Sequence, residues 1–385
     1  MYRIQPDGGT AMTSQATPPV RVLHAFPTFA VGGSQVRFAK LATQLGSRFE
    51  HHVLALDGCY DCMALIDAAA PVRRAGEAPQ GGPLATVPGF RRLFSTLRPD
   101  LVITYNWGAV ECALAAALPP RYRHLHIEDG FGPDEVDGQM RRRVLFRRLA
   151  LRRSQKVIVP SETLYDIAKQ QWRIPEHKLA LIPNGIDCGV FDAAPDPALA
   201  PSLRRAPDTL VIGTVATLRP EKNIGRLIDI FMQTRHEFDD MQLLIVGDGP
   251  CRTELEDMAN DRCPESSVHF PGRIDTPQSV LGLIDVFVLS SNTEQMPISI
   301  LEAMAAGLPV AGLAVGDVAN MVSEPNRRFI ARAGDEAGLQ QAVRTLAKDA
   351  DLRRTVGEAN RKHVRATYSE ASMVQAHAEL MLSGS

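Results

Sequence analysis

Two carboxylates interrupt an apolar stretch in the second half of the chain. Glu294 and Glu302, with seven residues between them, belong to the sequence TEQMPISILEAMAAGLPV, which follows the β-branched run VFVL. That run predicts a buried strand. Pro297 suits the first turn of a helix and Gly307 suits its end, so we expect a helix over residues 297–306. Glu294 then precedes the helix and Glu302 lies in it, at the sheet edge where open α/β folds bind ligands.

Glu302 raises a specific question, because an ionised carboxylate in an apolar helix must reach solvent, a cation or hydrogen-bond donors. The adjacent hydroxyls of a ribose would supply two donors to one carboxylate. A glutamate on a solvated helix face is the commoner case, and the residue alone leaves that alternative open.

Two cations follow a second predicted strand, in the sequence ATLRPEKN. Arg219 and Lys222 would lie at the carboxyl end of this strand, where they could neutralise a diphosphate that becomes a leaving group. An exposed charged loop is the alternative.

A glycine pair follows the first predicted strand, in the sequence FAVGGSQ. Gly32 and Gly33 would let backbone amides approach a phosphate or a sugar hydroxyl at the start of a helix. A plain strand-to-helix turn is equally compatible. The later VGDGP segment lacks the third glycine of a dinucleotide fingerprint, since Arg252 stands there, and this disfavours an NAD oxidoreductase.

Apolar runs alternate with amphipathic segments twice along the chain, which is typical of parallel α/β sheets. In the first half we predict strands at residues 20–26, 52–56, 101–105, 124–128, 157–160 and 179–183. In the second half we predict strands at residues 210–216, 241–246, 268–270, 286–289 and 309–311. From about residue 335 we expect helices alone.

A Pro, Ala and Asp-rich stretch divides the two halves and indicates a linker. Residues 1–18 are rich in Gly, Thr, Ser, Gln and Pro and are expected to be disordered, with Met12 as an alternative start. We expect Rossmann-like domains over residues 19–190 and 209–366, joined by a linker over 191–208. The C-terminal helix of residues 367–385 is expected to pack back on the first domain.

Composition excludes several classes of function. A net charge of −2 gives no global attraction to nucleic acid, and the six cysteines lack a second pair at zinc-ligand spacing. No apolar run reaches the length of a membrane span, so we expect a cytoplasmic protein, either free or peripheral at the inner face of the membrane.

One strongly basic segment, RRRVLFRRLALRRSQK at residues 141–156, stands out against this neutral background. It carries eight Arg and Lys residues and no acid, with four aliphatic residues interleaved. The segment would suit an anionic membrane surface, whereas a solvated helix packed on the sheet is an equal alternative.

Taken in this order, the motifs resemble the family 4 glycosyltransferases of the GT-B fold, an α/β architecture of two Rossmann-like domains with parallel sheets facing a central cleft. The likeness runs from Val20 to the C-terminal helices, and its most specific part is the E-x7-E pattern with EAMAAGLPV. It implies sugar transfer from a nucleotide donor with retention at the anomeric carbon, without metal or cofactor. A UDP-sugar is favoured over a GDP-sugar.

The resemblance also implies roles for individual residues. Lys222 matches the diphosphate-binding lysine, Glu294 the carboxylate near the donor sugar, and Glu302 the carboxylate that binds the ribose hydroxyls. Gly32 and Gly33 match the loop facing the donor phosphates and the acceptor. Backbone amides facing sugar and phosphate are expected at Met296, Pro297, Ile298 and Ser299.

Three positions depart from the family pattern. Thr217 stands where an arginine is usual, so Arg219 is expected to reach the phosphate instead. Gln295 replaces a glycine and is expected to narrow the sugar pocket. Asp129 replaces the usual histidine beside the transferred sugar, in the sequence EDG, and is expected to bind a sugar hydroxyl or stabilise positive charge there.

The sequence therefore predicts a hexosyltransferase in polysaccharide or glycolipid biosynthesis, with Glu294, Lys222 and Asp129 as catalytic residues. The acceptor would be a saccharide or a lipid-linked saccharide. A sugar-nucleotide epimerase of the same fold and a non-catalytic nucleotide-sugar or glycan-binding protein remain alternatives.

Overall fold

The computed structural model describes residues 18–131, 135, 138–238 and 240–383. The expectations of a disordered N-terminus and of a start at Met12 fall on residues 1–17, outside this range. None of the described helices is long and apolar enough to span a membrane.

The first half of the chain forms a sheet of seven parallel strands in the order β3-β2-β1-β4-β5-β6-β7. The central strands are buried along most of their length, as expected where helices cover both faces of a parallel sheet. The strands are β1 Val20–Phe26, β2 Phe49–Ala55, β3 Val72–Arg74, β4 Leu101–Tyr105, β5 His124–Ile127, β6 Lys156–Val159 and β7 Leu179–Leu181.

The second half forms a sheet of six parallel strands in the order β10-β9-β8-β11-β12-β13. The strands are β8 Leu210–Val215, β9 Met241–Val246, β10 Val268–Gly272, β11 Val286–Leu289, β12 Val310–Leu313 and β13 Ile330–Ala331. Both sheets therefore have the parallel α/β architecture that the sequence predicts.

Helices cover both sheets. In the first half they are α1 Gly33–Leu45, α2 Pro83–Leu97, α3 Val110–Ala117, α4 Arg141–Leu151 and α5 Glu162–Gln170. In the second half they are α6 Ile224–Arg235, α7 Arg252–Arg262, α8 Gln278–Leu281, α9 Ile298–Ala305, α10 Val318–Met321, α11 Glu336–Lys348, α12 Ala350–Thr367 and α13 Glu370–Leu382.

The sequence misses two edge strands, β3 and β13, and places the start of β2 three residues late. The edge strands have three and two residues and are half-buried or exposed, so they carry no apolar run. In β2 the polar residues Glu50, His51 and His52 interrupt the apolar pattern that would predict a strand, although both histidines are buried.

The chain crosses back to its first half at the C-terminus. Ile186 forms an isolated bridge with Ser369, after which α13 packs on the first sheet. Met373, Val374 and Met381 of this helix join the same apolar cluster as the residues of β1 and α1. The last helix is thus part of the core of the first half.

The two halves also touch directly through a helix cap. Asp317, in the loop before α10, accepts hydrogen bonds from the backbone N–H groups of Glu162 and Thr163 at 2.6 and 3.0 Å, at the start of α5. The Thr163 hydroxyl donates to the same carboxylate at 2.6 Å. A residue of the second half therefore satisfies the free amides of a helix in the first half.

Replacing Asp317 with Ala should loosen the contact between the halves, because the Glu162 and Thr163 amides at the start of α5 lose their acceptor, while the Ser161 cap remains. We expect a loss of about 1–2 kcal/mol in the free energy of unfolding and a larger radius of gyration in small-angle X-ray scattering. Asp335→Ala is the matched control, since Asp335 caps α11 within one half. An unchanged radius of gyration in Asp317→Ala would show that this cap does not hold the halves together.

Candidate active site

A cleft between the sheets contains two adjoining cavities, lined by loops at the carboxyl ends of strands. The Lys222 cavity measures about 270 Å³ and the Glu302 cavity about 300 Å³. Three residues line both cavities, namely Arg37, Asn184 and Ile298. The two acidic residues of the E-x7-E pattern thus occupy neighbouring compartments.

Lys222 and Glu294 form an ion pair in the first cavity. The Lys222 Nζ lies 2.5 Å from Glu294 Oε1, and the Ser291 hydroxyl donates to the same oxygen at 2.7 Å. The loop after β8 carries the lysine, whereas the loop after β11 carries the glutamate. Their strands are neighbours in the sheet, and this pairing brings together residues 72 positions apart.

Glu302 lies on α9 one turn after Ile298 and lines the second cavity. Removal from water raises the pKa of its carboxyl to about 7, and the nearby Lys40 ammonium opposes this rise. A carboxyl group with this pKa is half protonated near neutral pH. A ligand that donates hydrogen bonds to the carboxylate stabilises its ionised form.

The start of α9 faces the Lys222 cavity. This cavity is lined by Met296, Pro297, Ile298 and Ser299, so the free backbone amides of the first helical turn adjoin it. The helix begins at Ile298 with Pro297 as its N-cap. Asn184 holds this segment from the first half of the chain, since its Nδ2 donates to the Met296 carbonyl at 3.0 Å.

The glycine loop meets α9 across the cleft. Gly33 lines the Lys222 cavity, and a Cβ added there would lie 3.7 Å from Ile298 Cδ1. Gly32 is the N-cap of α1 and does not line either cavity.

Asp129 lines the Lys222 cavity but is not free. The buried Arg37 of α1 places Nη1 2.6 Å from Asp129 Oδ1 and donates from Nη2 to Oδ2 at 2.8 Å. Arg37 also donates to Asn184 Oδ1 at 2.8 Å. Sequence reasoning missed Arg37; its position in the turn after Gly33, at the start of a helix facing the cleft, was the available signal.

Besides Gly32, two further predicted residues lie outside the cavities. Arg219 is exposed and lines neither of them, whereas Thr217 does line the Lys222 cavity. Gln295 also lines neither; its Cγ lies 3.0 Å from the position of a Cβ on Gly130, and its Oε1 accepts from the Ser161 hydroxyl at 3.5 Å. Gln295 thus contacts the first half of the chain instead of narrowing a pocket.

The basic segment is only partly a surface. Arg147 is fully buried, held by Glu135 at 3.1 Å and Glu128 at 3.4 Å and surrounded by aromatic rings. Arg147 therefore adds no positive charge to the surface of this segment. Leu145 and Leu149, in contrast, are 56% and 61% exposed.

Among the described residues, no three His, Cys, Asp or Glu side chains are grouped so that they could hold a metal ion.

Two family models match the chain, one in each half. Residues 32–185 match "Glycosyl transferase 4-like domain" and residues 197–363 match "Glycosyl transferases group 1". Together they span both sides of the cleft.

Curated relatives and solved structures agree with these matches. N-acetyl-alpha-D-glucosaminyl L-malate synthase of Bacillus anthracis is 28% identical over 160 residues, which is 42% of either chain. The putative glycosyltransferase EpsF of Bacillus subtilis (strain 168) is 26% identical over 305 residues, 75% of this chain and 78% of that protein. The crystal structure of Anabaena Alr3699/HepE in complex with UDP superposes with a TM-score of 0.78 at 20% identity, covering 94% of this chain and 99% of that one, which shows a shared fold.

The raised pKa of Glu302 predicts a pH dependence of stability. The pKa is about 7 in the folded chain against a usual value of 4.5, so the folded state holds the proton more tightly. The stability contributed by the protonated form is complete at low pH and is lost as pH rises through 7. The free energy of unfolding of Glu302→Gln, measured by urea unfolding, should therefore rise relative to that of the parent by up to about 3 kcal/mol between about pH 5 and pH 8.

Glu358→Gln is the matched control, because Glu358 is exposed on α12. Parallel curves of unfolding free energy against pH for Glu302→Gln and the parent would contradict the assignment of a raised pKa to Glu302.

Proposed function

The chain is a glycosyltransferase of the GT-B fold, and we propose that it is a retaining enzyme of family 4 that works without a metal. It moves a sugar from a nucleoside-diphosphate sugar to a saccharide or lipid-linked saccharide acceptor. One observation carries the proposal: Lys222 and Glu294 form a pair in a cavity that adjoins the Glu302 cavity.

The donor spans both cavities in this proposal. Its diphosphate lies beside Lys222 and the free amides at the start of α9, where an anion is stabilised by positive charge and by hydrogen bonds. Its ribose lies beside Glu302, whose ionised carboxylate accepts hydrogen bonds from the two hydroxyls. The transferred sugar lies near Glu294.

The chemical step breaks the bond between the anomeric carbon and the phosphate oxygen, and the electron pair leaves with the diphosphate. Lys222 stabilises the negative charge that develops on this leaving group. An acceptor hydroxyl forms the new bond to the anomeric carbon, and its proton passes to the phosphate oxygen that departs. Glu294 and Asp129 orient sugar hydroxyls during the step.

The contacts between the halves support exclusion of water from this step. Asn184 binds the Met296 carbonyl, and Asp317 caps α5 from the opposite side of the cleft. A closed cleft favours transfer to an acceptor hydroxyl over hydrolysis.

Binding of UDP should depend on Glu302 and turnover should depend on Glu294. We expect Glu302→Ala to weaken UDP affinity by about ten- to a hundredfold, because the ribose hydroxyls lose a charged acceptor. We expect Glu294→Ala to bind UDP but to lower kcat for sugar transfer. Calorimetry and a transfer assay check these outcomes, after a thermal-shift screen of UDP- and GDP-sugars identifies the donor.

Glu358→Ala on α12 serves as the control, since its side chain is exposed. Unchanged affinity in Glu302→Ala together with unchanged turnover in Glu294→Ala would reject this site. Isomerised nucleotide sugar without transfer would favour an epimerase, and binding without any turnover would favour a binding protein.

We propose further that the exposed face of α4 and the turn after it contacts an anionic membrane surface at the inner face of the membrane. Leu145 and Leu149 lie one turn apart and are exposed. The exposed arginines of this region are Arg141, Arg142, Arg152 and Arg153. Apolar side chains flanked by cations suit the boundary between headgroups and acyl chains.

Replacing these four exposed arginines with Gln should reduce co-sedimentation with anionic phosphatidylserine-containing vesicles by about tenfold or more, since each cation near such a surface adds to binding. Arg147 is left intact because it is buried. The control replaces four exposed arginines elsewhere, namely Arg48, Arg262, Arg273 and Arg354. An equal loss of co-sedimentation in both variants, or no loss in either, would contradict the proposed contact with a membrane surface.

A further inference from the structure

Both cations of the Lys222 cavity are already paired with carboxylates. Among the described lining residues, Lys222 and Arg37 carry positive charge, and Glu294 and Asp129 carry negative charge. Lys222 pairs with Glu294, and Arg37 pairs with Asp129. The side-chain charges of these four lining residues therefore cancel.

A diphosphate would compete with these carboxylates for the same cations. It carries at least two negative charges, which need positive groups or hydrogen-bond donors when taken from water into a cleft. Lys222 alone supplies one positive charge. Thr217, which lines the cavity beside it, supplies none.

We propose that Arg37 is a donor-binding residue that exchanges Asp129 for the diphosphate when the nucleotide sugar binds. This inference rests on the proposed function, because it takes the diphosphate to lie in the Lys222 cavity. A guanidinium suits the role, since its planar set of N–H groups binds phosphate oxygens in pairs.

The surroundings of Arg37 permit such an exchange. Its side chain is 7% exposed and lines both cavities, so it already adjoins the space in which the diphosphate is taken to lie. Asn184 Oδ1 accepts a hydrogen bond from Nη1 and holds the guanidinium in the cleft. The Asp129 backbone is held separately, because its N–H donates to Asn106 Oδ1 at 2.7 Å.

The exchange has a consequence for the order of binding. When Arg37 turns to the diphosphate, the Asp129 carboxylate becomes free to accept a hydrogen bond from a hydroxyl group. The diphosphate likewise draws Lys222 away from Glu294. Donor binding therefore prepares both carboxylates for sugar hydroxyls, and the donor binds before the acceptor.

The test compares UDP with uridine, which lacks the diphosphate, by calorimetry. Asp129→Asn removes the competing carboxylate and should strengthen UDP binding several-fold. Adding Arg37→Gln to this variant should weaken UDP binding by about ten- to a hundredfold and leave uridine binding within about twofold. The double variant removes both charges of the pair, and Asp129→Asn leaves Arg37 the Asn184 oxygen and a side-chain amide oxygen as acceptors, so both variants are expected to fold.

Arg21→Gln is the control for loss of an arginine in an ion pair, because Arg21 pairs with Glu50 at the end of β1 away from the cavities. Equal UDP affinity in Asp129→Asn and in Arg37→Gln/Asp129→Asn would overturn the inference, as would a parallel loss of UDP and uridine binding. Lys222→Gln and Glu302→Ala separate the two proposals. If they weaken UDP binding while the Arg37 change does not, the proposed function stands and this inference alone fails.

Discussion

The cleft depends on one constraint, which is that opposite charges pair at the carboxyl ends of the strands in two parallel sheets. Parallel strands deliver their following loops to one edge, so cations and acids from distant parts of the sequence converge there. An unpaired charge in such a half-buried space is costly. Lys222 with Glu294, and Arg37 with Asp129, meet that constraint.

The loop of residues 290–297 links this chemistry to the contact between the halves. It carries Glu294, and its Gln295 carbonyl accepts a hydrogen bond from the Asp317 backbone N–H at 3.0 Å. The Asp317 side chain caps α5 in the first half. Gly316 adopts a positive φ of 54°, and a Cβ there would lie 2.3 Å from the Glu294 carbonyl oxygen. A change in the position of the halves must therefore reach the loop that holds a proposed catalytic acid.

Two departures from the family 4 pattern line the same cavity as Arg37. Asp129 stands in place of the usual histidine, and Thr217 in place of an arginine. Arg37 pairs with Asp129 and lines the same cavity as Thr217. Seen separately in the sequence, the departures suggest a weakened site. In the structure, both residues line one cavity, to which the first half of the chain adds Arg37.

The sequence by itself determined the two α/β halves, because apolar strands and amphipathic helices recur with a local period. It also placed Lys222 and Glu294 in loops after strands and Glu302 in the helix that follows, since strand-loop-helix order is local information. Only the tertiary structure decided which of these groups touch. It buried Arg147 against Glu128 and Glu135, turned Gln295 toward Gly130, and joined Arg37 to Asp129 across 92 positions. Such pairings depend on how separate strands order themselves in a sheet and on how two sheets face each other, and no period along the chain encodes either.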